Sequence, residues 1–124
     1  MTTTQPTPTA AHVRRLRVGE RLIETDSEGY LRDLSDWSEA FAVAQARSEG
    51  LELTDEHWQV IRMLREHFQT HGVQPQVRVM IKHFSRAWGP ERGNNHYLHA
   101  LFPNGGPQKQ GNRIAGLLRT KGEH

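Results

Sequence analysis

The side chains best suited to chemistry are histidines, a pair of aspartates and a file of cations. His67 and His71 stand at i, i+4, and His96 and His99 at i, i+3, so each pair would share a helix face and could chelate a metal. A zinc centre takes a third protein ligand, and the H-E-x-x-H arrangement requires glutamate directly after the first histidine, whereas Glu66 precedes His67. The pairs therefore read as partly exposed helix histidines, with His71 near a helix C-terminus that favours a cation; no metal is predicted. Asp33 and Asp36 have the spacing of a working carboxylate pair, but both fall where a helix should begin, which makes them caps. G-x-S-x-G, Walker and G-x-G-x-x-G sequences are absent, and no cofactor is expected. Arg78, Lys82, Ser85 and Arg86 line one face of an expected helix, with no acid between Val77 and Gly89. Such a face can track phosphate or enter a major groove. Arg78, Lys82 and Arg86 are thus the candidate nucleic-acid residues, with DNA a candidate partner and a solvated basic face the plainer alternative.

The 124 residues include no cysteine, which removes disulfide scaffolds, Cys-ligated zinc and thiol nucleophiles together. The N-terminal stretch MTTTQPTPTAAH has no apolar segment, so no secretory signal is expected and a cytoplasmic address is predicted. No long apolar run is present, and no membrane span is expected. Net charge is +2, but its distribution is uneven. Ten acids lie between Glu24 and Glu56, opposed only by Arg32 and Arg47, while from His67 onward the acids are only Glu91 and Glu123. A basic second half attracts phosphate or an acidic partner, or else the two halves attract each other within the fold.

The elements that must position these groups follow from patterning. With 35% hydrophobic residues and a mean hydropathy of −0.76, the core must be thin. Residues 1–13 read as a disordered Thr/Pro tail, and one domain is expected over 14–116. Arg14–Gly19 and Arg21–Glu24, followed by Thr25–Gly29, suggest a β-hairpin. A first helix is predicted from Ser35 or Asp36, with Asp36 and Glu39 as a capping box, Trp37, Ala40, Phe41 and Ala44 at helical spacing and Gly50 as the stop. Thr54 caps a second helix carrying Trp58, Ile61 and Phe68, ended by Gly72. A third helix has Val77, Met80, Ile81, Phe84 and Trp88 on one stripe, with Pro75 suited to its start. A short turn between these two is compatible with a helix-turn-helix. A fourth helix runs from about Asn94 to Phe102. Pro103–Pro107 reads as a hard break, followed by one or two turns over Lys109–Ala115 and a flexible arm over 117–124.

Several segments, in order, carry a resemblance: Gly29-Tyr30-Leu31, Asp36-Trp37, Leu53-Thr54-Asp55-Glu56-His57-Trp58, Gly93-Asn94-Asn95-His96-Tyr97-Leu98, Leu101-Phe102-Pro103 and Gly106 through Leu117. Together they resemble the TusE/DsrC/DsvC sulfur-relay family over roughly Arg17 to His124. The resemblance implies an α+β, mainly helical fold: an N-terminal β-hairpin, a helical bundle containing a helix-turn-helix, and a mobile C-terminal arm. It also implies sulfur carried as a persulfide on a penultimate cysteine, with a second arm cysteine in a Lys-Gln-x-Cys stretch in dissimilatory members. The implied partners are a sulfur-donor complex of Tus or DsrEFH type, or a sulfite reductase. Here Asn112 occupies the Lys-Gln-x-Cys position and Glu123 the penultimate one, so the thiols are replaced and no catalytic residue is assigned. Leu118 and Thr120 stand where the family usually has prolines, which implies a looser or differently aimed arm.

The expected function is that of a non-sulfur-carrying, partner-binding or regulatory member linked to sulfur metabolism, docking through Lys109, Gln110, Arg113, Gly116, Arg119, Lys121 and Gly122. A helix-turn-helix DNA-binding regulator is the alternative, and a chain classed with sulfurtransferases by similarity alone is a third.

Overall fold

The structure, a computed structural model, describes residues 13–119. Strands β1 (Arg14–Val18) and β2 (Arg21–Thr25) form an antiparallel hairpin with Leu16 opposite Ile23, closed by a turn at Gly19 and Glu20. A two-stranded hairpin is marginal alone. This one leans on the first helix, α1 (Glu39–Ser48), where Ile23, Leu31 and Phe41 form a small core of their own.

The chain enters α1 differently from the sequence expectation. Asp33 Oδ1 accepts from Ser35 N at 3.0 Å and from Ser35 Oγ at 2.7 Å, capping only a 3₁₀ turn over Leu34–Asp36. The α-helix then begins after Ser38, whose Oγ accepts from Phe41 N at 3.0 Å. No Asp36–Glu39 capping box forms; Asp36 instead pairs with Arg21 at 3.3 Å. Trp37 sits in the interruption with extended backbone, φ −68° and ψ 141°. That break frees its indole for a contact described below. The predicted stop is correct: Gly50 N donates to Arg47 O and Leu51 N to Ala46 O, the paired bonds of a Schellman ending.

Helix α2 (Asp55–His71) follows Thr54, whose N donates to His57 Nδ1 at 3.0 Å. Because Nδ1 accepts, the ring proton lies on Nε2, which donates to Leu101 O at 2.6 Å. Val60, Ile61 and Leu64 are fully buried and meet Met80 and Phe84 of α3 (Val77–Trp88), Leu98 of α4 (Asn95–Leu101), and Ile114 of α5 (Gly106–Ile114) in the main core. The stripe on α3 is thus buried at its centre. Pro75 lies outside the helix, before its N-cap Gln76, instead of in the first turn.

Helix α5 is the main correction. The segment over 103–107 is no extended break, because Gly105 and Gly106 turn the chain at positive φ and Pro107 already sits in the first turn of a full helix. A proline costs little there, since its missing N–H would find no helical partner anyway. Helix α5 packs on α1, α2 and α4. The charge asymmetry of the sequence is answered internally in part: Arg92 meets Glu56 at 2.5 Å, Arg113 meets Glu49 at 2.6 Å, and Arg119 meets Asp26 at 3.3 Å. No helix among the described residues is long and apolar enough to cross a membrane.

Candidate functional site

Helix α5 and the chain that leaves it carry most of the predicted docking residues, and two clusters hold three of them, Gln110, Arg113 and Gly116. The first centres on Glu49 at the end of α1. Its carboxylate accepts from Arg113 Nε (2.9 Å) and Nη2 (2.6 Å), Gln45 Nε2 (2.6 Å), Gln110 Nε2 (2.9 Å) and Asn104 Nδ2 (3.0 Å). Arg113 Nη2 also donates to Asn104 O, and Gln110 Oε1 accepts from Asn104 N. A bidentate guanidinium and three amide donors thus satisfy a carboxylate that is almost wholly removed from water. Burial by itself pushes the Glu49 carboxyl up, but the donors, led by Arg113 and Gln45, together with the Arg113 charge, hold it below the usual carboxylate range. The same pair, against the opposing effect of burial, raises the Arg113 guanidinium. This cluster fixes the α4–α5 connection against α1.

The second cluster clamps the C-terminus of α5. Trp37 Nε1 donates to Ile114 O at 2.9 Å and Arg65 Nη1 to Ala115 O at 2.7 Å, filling two of the acceptors a helix end leaves open. The guanidinium of Arg65 lies 3.8 Å over the Trp37 ring, so one unit serves both carbonyls. Gly116 is required twice: its φ is +74°, and a Cβ there would lie 2.2 Å from Trp37 Cδ1. Leu117 N returns to Asn112 O at 2.9 Å, and the Leu117 side chain enters the core at 4% exposure. The expected arm therefore begins with an anchored residue. Beyond it, Gln74 Nε2 donates to Leu118 O, and Arg119 reaches Glu28 and Asp26 while its guanidinium lies 4.5 Å over the Tyr30 ring.

Of the predicted docking residues, Lys109 is exposed and Arg119 partly so, whereas Gln110, Arg113 and Gly116 are buried and face Glu49 or Trp37 instead of solvent. Lys121, Gly122 and Glu123 lie outside the described residues, as does all of the predicted tail except Val13. Asn112 is fully buried, and neither Oδ1 nor Nδ2 has a hydrogen-bond partner among the described residues. Arg78, Lys82 and Arg86 are exposed along α3, apart from the arm base. The rings of His67 and His71 touch at 4.3 Å, but no group of three or more His, Cys, Asp or Glu suited to a metal occurs among the described residues. Sequence reasoning missed Glu49, Trp37 and Arg65, although the indispensable Gly116 and the charge asymmetry were signals pointing toward them.

The family model described as "DsrC like protein" matches residues 17–122. The chain belongs to the DsrC-like family. It is 50% identical over 95 residues to the sulfurtransferase TusE of Salmonella choleraesuis (strain SC-B67), which spans 77% of this chain and 86% of that protein. Its fold is similar to the oxidized gamma-subunit of the dissimilatory sulfite reductase, DsrC, from Archaeoglobus fulgidus (TM-score 0.79, 38% identity, 88% of this chain and 98% of that one). It is likewise similar to Allochromatium vinosum DsrC (TM-score 0.77, 39% identity, 89% and 97%). In this DsrC-like chain, a buried amide stands at the position where the resemblance places an arm cysteine.

Proposed function

We propose that this DsrC-like chain acts in a sulfur relay as a partner-binding or regulatory member that does not itself carry sulfur. The observation that carries the reading is the absence of any cysteine, with Asn112 and Glu123 at the two positions where the resemblance expects one. A relay hands sulfur from thiolate to thiolate, and neither an amide nor a carboxylate has the nucleophilicity to accept it. Similarity to a TusE and to sulfite-reductase gamma-subunits supports a donor complex of Tus or DsrEFH type, or a sulfite reductase, as the partner. The chain would compete there with a cysteine-bearing relative, in the cytoplasm. Its body is the domain over 14–116 and its docking element the arm over 117–124. Lys109, Arg119, Lys121 and Gly122 make contact, while Gln110, Arg113 and Gly116 set the arm's origin from behind.

Two measurements test this. Incubation with a persulfide-loaded donor should leave the intact mass unchanged; a dithiothreitol-releasable sulfur adduct refutes the reading. Calorimetry against the donor complex should show affinity that falls with added salt and is lost in a chain ending at Leu117, which retains the core anchor. Equal affinity for both chains removes the arm from the docking.

A further inference from the structure

Three of the four large apolar side chains most exposed among the described residues belong to one neighbourhood: Val73 at 57%, Val79 at 39% and Leu118 at 53%. Val73, Pro75 and Val79 line a groove of ≈ 520 Å³ where the 72–76 connection, α3 and α5 meet, with His67, Gln108 and Arg119 at its rim. The bond from Gln74 Nε2 to Leu118 O brings the chain after α5 alongside. Single exposed apolar residues are ordinary, whereas a clustered set beside a groove marks a contact surface.

The charge on α3, beside the groove, is one-sided. The sequence has no acid from His67 to Pro90, and Arg78, Lys82 and Arg86 are exposed on α3. None of the three makes an ion pair with a described residue, whereas Arg92, Arg113 and Arg119 all do. The positive potential of α3 is therefore unneutralised and directed to solvent.

We infer that this groove and the adjoining face of α3 form a docking site for an acidic segment of a partner protein bearing apolar anchor side chains. Val73 and Val79 take the anchors, and Arg78 and Lys82 meet the flanking carboxylates. Duplex DNA is the poorer match, because phosphate contacts use the cations but leave the apolar floor without a partner. An amphipathic segment uses both. The site does not depend on whether the chain carries sulfur.

The probe is a synthetic helical peptide with leucines at i, i+3, i+4 and i+7 and glutamates elsewhere, titrated into the ¹⁵N-labelled full chain. Amide shifts are expected over 73–82. Replacing the peptide's leucines with serine, or its glutamates with glutamine, should each weaken binding at least tenfold. Val79→Glu and Lys82→Glu should do the same while leaving the thermal melt unchanged, since both positions are exposed. No binding at millimolar peptide, shifts confined to other surfaces, or indifference to both protein variants overturns the proposal. So does tighter binding of a mixed-sequence DNA duplex at the same salt, which would assign the face to nucleic acid. An adduct in the persulfide experiment would sink the non-carrier reading without altering any of these outcomes.

Discussion

Glu49 and Asn112 are both buried polar side chains placed against or within α5, and their circumstances are opposite. The carboxylate is the more costly group to remove from water. Yet it accepts five hydrogen bonds, two of them from a bidentate guanidinium. The amide is neutral and cheaper to bury, yet both of its polar atoms lack a partner among the described residues. What separates the two is satisfaction: Gln110 and Arg113 turn toward α1 and share one acceptor, while Asn112, between them in sequence, lies in the same helix with no hydrogen-bond partner among the described residues. Helix α5 is therefore stabilised on the side that holds the α4–α5 connection and penalised at the position where the family resemblance places a thiol.

The largest expected effect breaks the satisfied side. Arg113→Ala leaves the Glu49 carboxylate buried without its guanidinium and should destabilise the fold by about 3–5 kcal/mol, read as a lowered urea midpoint. A loss below about 1 kcal/mol, the scale of a surface change, would mean the cluster is open to water.

The same carboxylate predicts an acid dependence. Its folded value lies below the ordinary range, so its contribution is complete above the unfolded carboxyl's pKa and disappears as pH falls through the depressed folded value. Unfolding free energy should therefore decline from pH 5 toward pH 2 in the parent chain, and Glu49→Gln should flatten part of that slope. An identical slope in both proteins would remove Glu49 as its source.

On the other side of the comparison, Asn112→Leu replaces an unsatisfied amide by an apolar group of similar size. Removing that desolvation penalty should stabilise the fold by about 1–3 kcal/mol, visible as a raised melting midpoint. A destabilised variant would show that the amide has a partner after all.

How legible this was depended on sequence separation. Helices α2, α3 and α4 announced themselves through Thr54, the Val77–Trp88 stripe and Asn94, because periodicity and caps act within a few residues. The Glu49–Arg113 pair spans 64 positions. No local rule joins such residues, and only the bulk asymmetry of charge hinted that the halves attract. Helix α5 was hidden by its own start, where Gly105, Gly106 and Pro107 look like a break until their place in the first turn is known. The spacing of Trp37 to Phe41 and Ala44 fits the helical period and predicts a helical residue. In fact the 3₁₀ turn before it diverts its indole to Ile114 O.

Arg119 provides the smallest and sharpest contrast with Arg113. Both are cations from the second half meeting acids from the first, and both lie near Tyr30. Arg113 is about as buried as a core residue, while the side chain of Arg119 is 42% exposed, as are its partners Asp26 and Glu28 in large part. Exposed pairs of this kind are screened and hold long side chains in place against their own entropy, so Arg119→Ala should cost no more than about 1 kcal/mol. The loss should shrink further at 1 M salt, where the screening length falls to about 3 Å, whereas the Arg113→Ala penalty should change little with salt. Its more telling readout is local. Amide exchange at Leu118 and Arg119 should quicken in the Arg119→Ala chain while that of Ile114 and Ala115, behind the Trp37–Arg65 clamp, stays as it was. If exchange quickens equally on both sides of Gly116, the clamp does not isolate the arm from the body, and Arg119 contributes to holding α5 itself.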